Sequence, residues 1–154
     1  MSRPLAVATV LASTALLISG CASGGRPATS LPGLTSAKIA KLETLAQAGA
    51  SGEGDPHPSS ASVFAATWHQ AIRATGGFVN INGVPDTPVY VLVVRGHFHC
   101  AGCSPDGSAP WRGEILAWVL GRKTLRVLDG GGGLDHIDTS ALGPAETLTL
   151  RQTR

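Results

Sequence analysis

The densest group of chemically capable side chains is His97-Phe98-His99-Cys100-Ala101-Gly102-Cys103. On an extended strand His97 and His99 share a face, and two thiols three residues apart form a chelating hook. Two imidazoles with two thiolates suit zinc or Cu(I) by ligand type. Cys100, if it is still in the strand, points away from the histidines, so the four need a turn to converge. Dithiol redox catalysis fits less well. It wants the first cysteine at a helix N-terminus, where its pKa falls, and Ser104-Pro105-Asp106-Gly107 reads as a turn.

A second group is Gly130 to Asp138, GGGGLDHID, which satisfies the calcium nonapeptide pattern G-G-x-G-x-D-x-U-x. Four consecutive glycines meet three of its positions almost automatically, and such ions are shared between repeats, of which the chain has one copy. A flexible or tightly turned loop is the expected role. The templates G-x-S-x-G, H-E-x-x-H, the P-loop and G-x-G-x-x-G before a helix are missing from the sequence. His69 beside Trp68 reads as a surface histidine. Trp111 and Trp118 bracket one apolar segment, where tryptophan usually serves packing. No catalytic residue and no cofactor is expected.

The N-terminus carries an address. Arg3 is followed by fourteen residues, Leu5 to Ile18, without a charge. That run is short of the roughly 20 residues that span a bilayer, and with small residues behind it the segment reads as a secretory signal peptide. Ile18-Ser19-Gly20-Cys21 resembles the lipobox of bacterial lipoproteins. The resemblance implies cleavage before Cys21, a diacylglycerol on its sulfur, and an extracytoplasmic position at the cell membrane. Two acyl chains hold a protein stably where one does not. If Cys21 is lipidated, Cys100 and Cys103 are left as one even pair in an oxidising compartment, where a disulfide is the expected state. A metal site remains the alternative.

Charge adds an exclusion. The chain has 12 Lys plus Arg against 10 Asp plus Glu; loss of Arg3 with the signal leaves 11 against 10, or +1. Near-neutrality gives no electrostatic reason to expect nucleic acid as a partner. The expected partners are the membrane, through the lipid, and an envelope protein or small ligand.

The elements that must position these groups follow from pattern. Residues 21–61 read as a lipidated tether: small, polar and proline-bearing over 22–35, with a short helix capped by Ser36 and ended by Gly49, then a second linker over 49–60. Residues 62–154 read as a small α+β domain. Ser62 is expected to cap the main helix, with Phe64, Trp68, Ala71 and Ile72 on one face, and Gly76-Gly77 to end it. Val89 to Val94 is β-branched and uniformly apolar, which predicts a strand buried on both faces and running to about Phe98. Glu114–Leu120 and Thr124–Leu128 predict an antiparallel hairpin around Gly121-Arg122-Lys123. Gly130 to Gly133 is expected to break the chain, and Thr147–Leu150 to form an edge strand. The whole predicts one main helix on a three- to four-stranded antiparallel sheet.

That layout resembles small extracytoplasmic domains related to PepSY and cystatin-like folds over roughly Ser62 to Asp129. In the hairpin, Gly121 and Lys123-Thr124 stand where those domains commonly carry Asp and Thr-Gly. Arg95-Gly96-His97-Phe98 resembles uncharacterised secreted actinobacterial proteins that carry a similar Gly-x-Phe. The expectation is a non-enzymatic envelope binding or modulating module. The alternatives are a metal-handling lipoprotein using His97, His99, Cys100 and Cys103, and a small enzyme with no readable motif.

Overall fold

The structure is a computed structural model that describes residues 31–76, 84–100, 111–134 and 136–151. The fold is α+β: two helices packed on a five-stranded antiparallel sheet, one strand more than the largest number expected. In chain order the elements are α1 (Ser36–Gly52), β1 (Ser60–Thr67), α2 (Trp68–Thr75), β2 (Pro88–Cys100), β3 (Trp111–Gly121), β4 (Val127–Leu134) and β5 (Ala145–Leu148), with a 3-10 turn at Thr139–Ala141 before the last. The spatial order is β4-β3-β2-β1-β5.

β2 lies at the centre and explains its own composition. Tyr90, Leu92 and Val94 belong to the core beneath α1, while Val89, Val91 and Val93 belong to the core beneath α2. A strand dry on both faces cannot alternate apolar with polar residues. The expected 89–98 strand is therefore present and longer at both ends.

The short helix proves to be part of the core. Leu42, Ala46 and Ala50 of α1 are fully buried, and Leu31 and Leu34 before it join the same cluster. The packed body thus includes residues from Leu31 on, well before Ser62. Thr35, one residue earlier than expected, is the N-cap; its side chain accepts the Lys38 N–H. Gly49 does not end the helix, which runs on to Gly52. The reason is contact rather than turn chemistry: a Cβ on Gly49 would lie 2.6 Å from Trp118 Cη2.

Four further expectations are corrected. Residues 62–67 form β1, not the start of a helix. Ala61 and Val63 face one core and Phe64 and Ala66 the other, and pairing to β2 and to β5 overrides four residues of helical spacing. The helix starts only at Trp68, where Thr67 and Gln70 form a capping box; Gly76 ends it with φ 66, as expected. The β3–β4 turn spans residues 122–126, because Leu125 adopts a left-handed φ of 57 and packs on the α1 core. Thr124–Arg126 accordingly lie outside the strand. Gly130 to Gly133 do not break the chain but form half of β4. A Cβ on Gly130 would lie 2.6 Å from Trp118 Cδ1, and one on Gly132 would collide with the Trp111 ring. These glycines make room for two tryptophans. The edge strand near the C-terminus is present, two residues earlier than expected, as β5.

Candidate functional site

β2 outruns its neighbour. Ser60 of β1 pairs with Arg95, and the last residues of β2 continue past the end of β1. The 53–59 loop occupies the vacant edge. The Ser59 N–H and hydroxyl donate to the Arg95 carbonyl at 2.8 and 3.0 Å, and the His99 N–H donates to the Glu53 carbonyl at 2.8 Å. One carboxylate oxygen of Asp55 accepts the His97 N–H at 2.8 Å and the other accepts the His57 N–H at 2.9 Å. Two glycines permit this closeness. Gly54 has φ +84 and the His99 imidazole against it, and a Cβ on Gly96 would strike the Asp55 carboxylate.

On its other side β2 is bulged against β3 between Arg95 and Phe98, while His99 pairs with Arg112. Bulges re-aim side chains and concentrate beside functional sites. Here Phe98 is buried in the α1 core, while His97 and His99 on either side of it are exposed. With Arg112, Gly113 and Glu114 they line an open groove of about 500 Å³. A smaller hollow of about 180 Å³, lined by Ser59, Arg95, Gly96, His97 and Glu114, adjoins it through the shared His97 and Glu114.

The side chains of Arg95, His97, His99, Arg112 and Glu114 are all exposed, and none has a hydrogen-bond or ion-pair partner among the described residues. Guanidinium groups present fixed donor forks that match carboxylates and phosphates, and imidazoles can donate or accept. The groove therefore offers polar groups of both signs, mounted on hydrogen-bonded backbone.

Of the sequence-predicted residues, His97 and His99 come together in the groove. Cys21 and Cys103 lie outside the described residues, as does the side chain of Cys100, so the Cys100–Cys103 pairing and the four-ligand metal set both fall outside them. No group of three His, Cys, Asp or Glu side chains suited to a metal ion occurs among the described residues. The nonapeptide segment divides into two structural roles. Its glycines are in β4, and Asp138 accepts the Ser140 N–H at 3.0 Å and the Ser140 hydroxyl at 2.6 Å as the cap of the 3-10 turn. Those bonds, the hydroxyl's first, hold the Asp138 carboxyl below its usual value.

His69 lies away from the groove and has a structural part. Its Nε2 bonds the Val84 carbonyl at 3.0 Å and its N–H donates to Asp86 at 2.8 Å. That N–H above all, then the Thr67 hydroxyl and the nearby His69 and Arg73 charges, hold the Asp86 carboxyl below the usual carboxylate range. Trp111 and Trp118 are half-buried against Leu116 and the glycines of β4, which is the packing role expected of them.

Sequence reading missed Asp55, taken as linker, Arg95 and Glu114, taken only as strand residues, and Arg112, which lay outside the expected 114–120 strand. A signal was present: His97-x-His99 and Arg112-x-Glu114 alternate around Phe98 and Gly113 at the facing ends of two strands. The chain matches no known protein-family model, curated protein or solved structure.

Proposed function

We propose that this chain is a lipid-anchored extracytoplasmic module that binds a ligand or envelope partner in the groove of His97, His99, Arg112 and Glu114. The observation that carries the reading is the set of exposed charged and imidazole side chains, without hydrogen-bond or ion-pair partners among the described residues, on a clamped, bulged strand pair. A surface that merely needed solubility would not require a rigid mounting, with glycines admitting the loop that clamps it. Preorganised polar groups around an open hollow lower the ordering cost of binding. The anchor rests on the lipobox resemblance at Cys21, and the groove binds without help from nucleic-acid electrostatics, given the near-neutral charge.

The test is an amide-resolved NMR titration of the mature chain with acetate, inorganic phosphate and zinc in separate series. Shifts concentrated in residues 95–99 and 112–114, and lost in an H99A/R112A double variant of unchanged melting temperature, support the groove. Shifts spread evenly over the sheet reject it. Stoichiometric zinc with two protected thiols would replace it with the metal-handling alternative at His97, His99, Cys100 and Cys103. For the anchor, C21A should leave uncleaved precursor or released protein; membrane retention at wild-type mature mass refutes that part.

A further inference from the structure

The place where the chain joins the packed body is fixed at one end of the sheet. Leu31 is buried, and the Pro32 carbonyl accepts the Tyr90 hydroxyl at 2.8 Å and the Arg122 guanidinium through both Nε and Nη2. Lys38 Nζ donates to the Gly33 carbonyl at 2.8 Å and to the Arg122 carbonyl at 2.9 Å. Both cations also lie over the Tyr90 ring, 5.9 and 5.6 Å from its centre. This is the end where α1 begins, β1 and β3 finish and β2 starts, because Thr67 pairs with Pro88 and Val89 with Gly121. The groove is at the opposite end, seven residues farther along β2, roughly 20 Å at the usual rise of a strand.

Charge is distributed unevenly between these ends. Lys38, Arg122, Lys123 and Arg126 gather around the β3–β4 turn. Hydrogen bonds from Lys38 and Arg122 to carbonyls fix the two groups without neutralising them. Lys123 and Arg126 are exposed, and no ion pair among the described residues involves any of the four. Asp86, before β2 at the same end, is engaged by His69. Over the whole chain acids and bases nearly balance, so the basic end reflects placement and not excess.

We propose that this basic end, Lys38 with Arg122, Lys123 and Arg126, rests on an anionic phospholipid bilayer, and that the groove faces away from the lipid. The proposal rests on the anchored reading. Ten residues separate Cys21 from Leu31 and reach at most roughly 35 Å even fully extended, so the clasped end is the end the anchor holds nearest the membrane. Four cations bind a bilayer weakly by themselves, but a tether supplies the high local concentration at which weak attraction decides orientation. The sheet then stands on its turn with its ligand groove presented outward.

Hydrogen–deuterium exchange tests this on the full lipidated chain in vesicles of phosphatidylcholine alone and of phosphatidylcholine with phosphatidylglycerol. Exchange over residues 122–126 should slow several-fold on the anionic vesicles relative to the neutral ones, and residues 95–99 and 112–114 should not change. K123E/R126E should abolish the difference without lowering the melting temperature, because neither side chain contacts a described partner; high salt should abolish it too. An anchored chain whose turn exchanges equally on both vesicles, or protection at the groove end, overturns the proposal. Failure of the anchor looks different: the wild-type chain is released from both vesicle types. A released chain whose turn gains no protection from added anionic vesicles overturns the orientation as well.

Discussion

The two ends of the β2–β3 ladder are built from similar residues put to opposite uses. At the turn end, arginine, lysine and tyrosine direct their donors at the Pro32, Gly33 and Arg122 carbonyls and lock the incoming chain to the sheet. At the groove end, Arg95, Arg112, His97 and His99 have no described partner, and the locking is done by backbone groups of residues 53–59 and one carboxylate. An arginine that bonds a carbonyl of the incoming chain contributes to stability, whereas an exposed one without such a bond on a rigid strand costs little and keeps its donors for another molecule. Mutations at the two ends should therefore separate stability from binding.

The largest effect is expected at the clasp. Tyr90 is fully buried, and Y90A should cost about 3–5 kcal/mol, as large-to-small core changes do. Y90F should cost about 1 kcal/mol, since Pro32 keeps its bonds from Arg122. Denaturant unfolding measures both; a Y90A loss below about 1 kcal/mol would mean that the 31–35 segment is not held to the sheet.

The glycines give the next contrast. G96A should destabilise by about 1–3 kcal/mol, because the new methyl meets the Asp55 carboxylate and the Phe98 ring, and it should loosen the 53–59 loop in amide exchange. G131A has open space around its Cβ position and should be near neutral. Equal losses at the two would refute close approach as the reason for glycine in this sheet.

At the groove end, R112A and H99A should each move stability by less than about 0.5 kcal/mol while weakening ligand binding. A large loss of melting temperature would make these residues structural.

The smallest effect concerns acid. Asp86 has a folded-state pKa below the ordinary aspartate value of 3.8, so its contribution is fully present above that value and is lost as pH falls through the lower folded one. D86N should flatten the acid limb of the stability profile slightly below about pH 4 and change nothing near neutrality. A D86N effect equal at pH 3 and pH 7 would show that the carboxylate charge is irrelevant there.

Much of this fold was legible from local pattern. The Val89–Val94 run announced a strand buried on both sides, and Gly76 closed its helix where a left-handed cap was expected. The groove was legible in half: His97-x-His99 stood out, whereas Arg112 lay outside the expected 114–120 strand and Glu114 only began it, until β2 and β3 were paired.

What the sequence determined by itself is whatever depends on near neighbours: periodicity, caps, the apolar centre of the sheet, and the charged start, short apolar run and cysteine from which an anchor is proposed. Only the tertiary structure decided that residues 60–67 are a strand, since β1 exists by hydrogen bonds to β2 and β5. The same holds for the meaning of Gly49, Gly130 and Gly132, which read as breakers along the chain and prove to be clearances for Trp118 and Trp111. A glycine gives identical sequence signals whether its freedom is needed for a turn or its missing Cβ for a neighbouring ring. Only the partner across the fold distinguishes them.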